Sequence, residues 1–190
     1  MTLRSDLGGL LGGAGIIDID VDDAVRDEHM RYRAYRRIVT VAAAARSRAG
    51  DRALVAVLLR EPAEMVAKSA VVDLVDRVAM KATTASEFRQ WSAGILPELD
   101  RLRAEGHREF IHRRVRDWLC YLSVRAGELP TPEELADVTD WMQRTLADTS
   151  ASPQLLALIA EYGRTRKIRN VAGNRSGHRG PRTGRVPRTG

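Results

Sequence analysis

The chain has 190 residues, with 31 basic and 25 acidic side chains and a formal charge of +6. That length suffices to bury a core without covalent staples. A single cysteine, Cys120, excludes an internal disulfide and a thiolate metal cage and points to a reducing, cytoplasmic setting. No apolar run reaches the ~18–20 residues that a membrane span needs, and Asp6 and Asp18 bracket the Gly-rich run 7–17, so neither an anchor nor a secretory leader is expected.

Residues 1–22 combine LGGLLGGAGII with the acidic alternation DIDVDD, which together predict a flexible lead-in. Read as a calcium loop, Asp18, Asp20 and Asp22 take the first, third and fifth positions. Asp23 then stands where glycine makes the turn, and His29 where a glutamate closes the sphere. The string Ile16-Ile17-Asp18-Ile19-Asp20-Val21 resembles the strand of haloacid-dehalogenase-type phosphatases that delivers a nucleophilic aspartate, but such a site needs a sheet for which no later segment provides strands. Neither a metal nor a cofactor is expected here, and the acids suit the positive end of a following helix.

From about Asp23, the residues Val25, Tyr32, Tyr35, Ile38, Val39 and Ala42 recur at helical spacing as far as the stop at 46–50. Asp51 is placed to cap a short helix through Leu58 and Leu59. The segment 63–81 is apolar over most of its circumference, with Ser69, Asp73, Asp76 and Arg77 forming a narrow polar stripe, which predicts the centre of the core. Thr84 with Glu87 reads as a capping box. Phe88, Trp91, Ile95, Leu99 and Leu102 keep phase across Gly94 and Pro97, predicting one kinked helix. After Gly106, an amphipathic stripe runs through Ile111, Val115, Trp118, Leu119 and Leu122. Thr131, Pro132 and Glu134 open a helix bearing Leu135, Val138, Trp141, Met142 and Leu146, and Ser152 with Pro153 opens the last, bearing Leu155, Leu156, Ile159 and Tyr162. The expectation is an all-α domain over 23–172, with about six to seven helices in an irregular bundle or a short helical stack.

Three strings repeat weakly: Val66-Ala67-Lys68-Ser69-Ala70, Val115-Arg116-Asp117-Trp118-Leu119 and Ile168-Arg169-Asn170-Val171-Ala172. With Glu61-Pro62 before the first and Leu74 after it, residues 58–81 resemble HEAT-type helical repeats. The second string departs from that pattern at Leu119. The resemblance implies stacked helix pairs in which a small alanine admits the neighbouring helix, and a non-enzymatic scaffold that binds another protein.

Other chemistry is not spelled out. His107 and His112 are five residues apart, off the i, i+4 spacing of a helix-borne zinc pair, and the glycines 8–15 lack the Gly-Lys-Ser/Thr ending of a phosphate loop. No nucleophile motif accompanies the four histidines, so a catalytic role is not expected. Basic stripes offer the alternative function, binding of nucleic acid. One helix carries His29, Arg33, Arg36 and Arg37, another carries Arg108, His112 and Arg116, and the two would form one phosphate-facing patch if adjacent.

Charge concentrates at the C-terminus. Residues 163–190 hold eight arginines and Lys167 with no acid, a charge of +9, which leaves residues 1–162 at −3. The stretch 173–190 is predicted to be a disordered basic tail, because Gly, Pro and Arg give it almost no apolar surface to bury. Arg166, Lys167, Arg169, Arg175, Arg179, Arg182, Arg185 and Arg188 complete the candidate polyanion-binding residues.

Overall fold

A computed structural model describes residues 2–177. Among them the chain is all-α, as expected, with eleven α-helices, one 3-10 segment and no strand. No helix among these residues is long and apolar enough to cross a membrane. The described helices fall into two compact units that divide between Ala126 and Gly127, in place of the single domain expected over 23–172. Gly127, at φ +93°, follows the last helix of the first unit and adopts the left-handed turn that glycine permits most readily.

The first unit contains α1 (Leu3–Gly13), α2 (Val21–Arg26), α3 (Glu28–Ala44), α4 (Asp51–Leu58), α5 (Glu64–Lys81), α6 (Ala85–Ile95), the 3-10 segment Leu96–Arg101 and α7 (Glu105–Arg125). As its sequence implies, α5 is the hub and packs against α3, α4, α6 and α7. Its residues Ala67, Ala70, Val71, Leu74, Val75 and Ala79 have no exposed surface. Phe88, Ile95, Leu99 and Ile111 of the other elements of the unit are buried as well. Each such side chain contributes about 1.5–3 kcal/mol by leaving water.

The second unit contains α8 (Pro132–Asp137), α9 (Asp140–Thr149), α10 (Pro153–Tyr162) and α11 (Arg166–Gly177). Leu135, Met142, Leu146, Leu155, Leu156, Ile159, Ile168 and Ala172 form its core. At its centre lies the buried Gln143 amide. Its Nε2 donates to the carbonyls of Leu135 (2.7 Å) and Val138 (3.4 Å), and its Oε1 accepts from the Arg164 N–H (2.8 Å).

Four departures account for eleven helices where about six to seven were expected. The lead-in is helical at α1 because Leu7 and Leu11, one turn apart, are 0% and 2% exposed, and their burial outweighs the ~1 kcal/mol that each glycine costs a helix. Asp27 splits the first predicted helix. It is extended, and its carboxylate accepts from the His29 and Met30 N–H groups at 2.8 and 3.3 Å. Thr139 splits the helix after Thr131 in the same way, its hydroxyl accepting from Met142 N–H at 3.3 Å.

The fourth departure is α11, which carries helix into residues 173–177, the start of the predicted tail; residues 178–190 lie outside the described residues. Ile168 and Ala172 bury one face of it, and Arg169 reaches back to the Gly163 carbonyl at 2.6 Å. The kink at Pro97 is a change of helix type, α6 giving way to the 3-10 segment. The expected cap at Asp51 is also corrected: Asp51 is already the first helical residue, and its buried carboxylate accepts from Trp91 Nε1 at 2.9 Å and pairs with Arg48 at 3.2 Å.

Two polar devices hold the first unit in register. The Arg31 guanidinium and the Glu61 carboxylate, 8% and 0% exposed at the side chain, pair at 3.0–3.2 Å. Arg31 also donates to the Val25 carbonyl (2.9 Å), and Glu61 accepts from the Tyr35 hydroxyl (3.0 Å) and Ala63 N–H (3.1 Å). Burial, reinforced by the Glu61 charge, holds the Tyr35 phenol above its ordinary range.

The second device is Glu64, whose carboxylate accepts from the N–H groups of Arg103 (2.8 Å) and Ala104 (3.2 Å) and so fixes the chain entering α7. Those backbone donors push its pKa down to about 2 from an ordinary 4.5. A depressed folded-state value contributes stability that is present above the unfolded value and lost as pH falls through the folded one. Glu64→Gln is therefore expected to lower the denaturation midpoint at neutral pH, with the gap to wild type closing as pH falls from 4.5 towards about 2. A constant gap across that window in urea titrations would count against this role.

Candidate interaction surfaces

The acids of the lead-in are engaged structurally. Asp20 caps α2 through the Asp23 N–H (2.9 Å), Asp18 pairs with Arg37 (2.6 Å), and Asp22 pairs with Arg4 (2.6 Å). The Arg37 guanidinium holds the Asp18 carboxyl below its ordinary range.

The basic stripes lie on α3 and α7, and α5 packs against both helices. Arg37 is committed to Asp18, and Arg116 to Glu109 at 2.7 Å. Arg108 donates to the carbonyls of Leu102 and Arg103, Arg169 to that of Gly163 and Arg175 to that of Ala147, so these three fasten backbone ends. Arg33 and Arg36 on α3 and Arg166 and Lys167 on α11 are exposed and have no acidic partner among the described residues; Arg36 lies over the Tyr32 ring, 5.9 Å from its centroid. Arg179, Arg182, Arg185 and Arg188 lie outside the described residues.

A groove runs over the outer face of α5. Met65, Ser69, Val72 and Asp76 stand at i, i+4, i+7 and i+11, about 16 Å of helix at ~1.5 Å per residue. Its upper part is walled by His29 and Tyr32 of α3, and its lower part by Tyr32 and by Phe110 of α7. Tyr32 and Ser69 line both parts, so the two adjoin. Met65 is 54% and Phe110 42% exposed, and the Lys68 ammonium sits over the Phe110 ring, 4.7 Å from its centroid. At the lower end Asp76 is engaged by Arg114 (2.7 and 2.8 Å) and Trp118 Nε1 (2.7 Å), while Asp73 Oδ2 is buried without a hydrogen bond.

The second unit has its own groove of about 320 Å³ between α9 and α11, lined by Asp140, Trp141, Arg144, Thr165, Lys167, Ile168 and Val171. Trp141, expected on the apolar stripe of its helix, is 43% exposed. It shares the solvent side of α9 with Arg144 and Asp148, three and seven residues on.

Met65 and Phe110 were not singled out at the sequence level and Trp141 was expected to be covered, yet a signal existed. Met65, Phe110 and Trp141 each interrupt the polar phase of an amphipathic helix, beside Lys68 and Ser69, Arg113 and Arg114, and Arg144 respectively.

Among the described residues the fold is all-α, with a groove over α5 in the first unit and a groove between α9 and α11 in the second. Compared with protein-family models, curated proteins and solved structures, the chain finds no match.

Proposed function

We propose that this protein is a non-enzymatic interaction module whose first unit receives a segment of another protein in the groove over α5. The observation that carries this reading is the groove along Met65–Asp76, about three turns of α5, with the exposed Met65 on it and Tyr32 of α3 and Phe110 of α7 in its walls, a length over which a docked amphipathic helix can set its anchors. Lys68, Arg33 and Arg36 stand close by in the chain and favour a partner with acidic flanks. The architecture belongs to the same proposal: an irregular bundle incorporating HEAT-like helix pairs. In its favour, Val66 with Ala70 and Ile168 with Ala172 are buried one turn apart, with both alanines at 0% exposure.

The test places a photoreactive side chain at Met65, at Phe110 and, as a control, at the exposed Gln90 of α6 in the full-length protein within its native cells. One protein is expected to be captured at both groove positions and not at Gln90. Phe110→Glu should weaken that complex roughly thirtyfold, the loss of an anchor worth about 2 kcal/mol. An identical capture pattern at all three positions, or a complex indifferent to Phe110→Glu, would overturn the reading.

A further inference from the structure

The α9–α11 groove differs in kind from the one over α5. It is a short slot lined by the exposed Trp141 and, from α11, by the half-buried Val171 and the largely covered Ile168. Cations edge it: Lys167 lines it, and the adjoining Arg166 is exposed without an acidic partner among the described residues. The acids nearby are already matched, Asp140 by Arg164 at 3.4 Å and Asp148 by Arg144 at 3.6 Å. The sequence continues from α11 into Arg179, Arg182, Arg185 and Arg188, spaced three apart with no acid among them.

We propose that this groove binds single-stranded nucleic acid, one base stacking on the Trp141 ring beside Ile168 and Val171 while the flanking phosphates meet Lys167 and Arg166. An aromatic ring that is 43% exposed beside aliphatic side chains suits the face of a base, and stacking of this kind tolerates any sequence. A polyanion with charge at short, regular intervals also answers the tail arginines, and each phosphate neutralised releases counterions. An acidic peptide helix would need a longer run of apolar anchors than this slot offers. The site lies in the second unit and does not depend on the reading of the α5 groove.

Full-length protein is to be titrated with a labelled single-stranded oligonucleotide, as DNA and as RNA, at low and near-physiological salt. The same sequence as a duplex and an acidic peptide of equal charge are run beside it. Single strands are expected to bind more tightly than duplex or peptide. Trp141→Ala should weaken binding about tenfold or more and Trp141→Phe should keep most of it, because a phenyl ring still stacks. Lys167→Glu, an exposed change that spares the core, should weaken binding and flatten its salt dependence. Replacing Arg179, Arg182, Arg185 and Arg188 together by serine should lower affinity and leave the Trp141 effect in place. Four results would each overturn the proposal: no binding at low salt, binding indifferent to both Trp141→Ala and Lys167→Glu, binding abolished by the tail replacement alone, or duplex or peptide bound as tightly as single strand.

Discussion

Glu61→Leu is expected to destabilise the first unit by about 3–5 kcal/mol, because it leaves the Arg31 guanidinium, 8% exposed, as an uncompensated buried charge. The same change removes the acceptor of the Tyr35 hydroxyl and of the Ala63 N–H, so the strap between α3 and the α4–α5 turn goes with it. The paired change Arg31→Met with Glu61→Leu tests the cause. If an orphaned charge is what costs stability, the double variant should recover most of the loss, since an apolar pair of similar size often replaces a buried ion pair at little cost. Urea denaturation followed by circular dichroism reads both. A single variant within about 1 kcal/mol of wild type, the range of an exposed pair, would show that water reaches the site.

Gln143→Leu should act on the second unit with comparable force. Leucine fills the same space, but it strands the carbonyl of Leu135 and the N–H of Arg164, which the Gln143 amide now engages at 2.7 and 2.8 Å. Each unsatisfied buried group costs about 1–3 kcal/mol. A core below ~70–80 residues rarely supplies more than ~3–5 kcal/mol. The amides of α8, α9, α10 and α11 are therefore expected to lose their hydrogen-exchange protection together. Retention of wild-type protection there would mean that the amide network is dispensable.

The two predictions share a cause that sequence reading did not reach. Glu61 was visible only as the acid before Pro62, and Gln143 as one polar residue among several on its helix. Nothing local distinguishes a solvated glutamate from one that is 0% exposed at its side chain with three protein partners. Those partners come from residues up to thirty positions away in the chain. The same holds for Arg108, Arg169 and Arg175, read as a polyanion surface but spent on backbone carbonyls, a choice made by where each helix ends in space.

Local chemistry settled a good deal. The helical period in 63–81 marked α5 as the hub, because a helix apolar on most sides has to be covered on most sides. Thr84, the Thr131–Glu134 capping box and Ser152 each start a helix where the sequence placed one, since a side-chain acceptor three residues ahead of an N–H is a short-range fact. Breaks at Asp27 and Thr139 were equally short-range in mechanism, but their residues sit inside otherwise continuous apolar periods, and only the packed arrangement decides whether the side chain or the helix wins the N–H groups.

What the sequence by itself determined is the all-α class, the positions of most helices and the hub, because periodicity and capping act within a few residues. Tertiary structure decided the rest. It recruited the glycine-rich start into α1 through Leu7 and Leu11, and it extended α11 into the basic tail through Ile168 and Ala172. It packed α5 against both helices that carry the basic stripes and left Met65, Phe110 and Trp141 facing solvent. Burial and charge pairing depend on which distant elements meet, and that is a property of the packed chain as a whole.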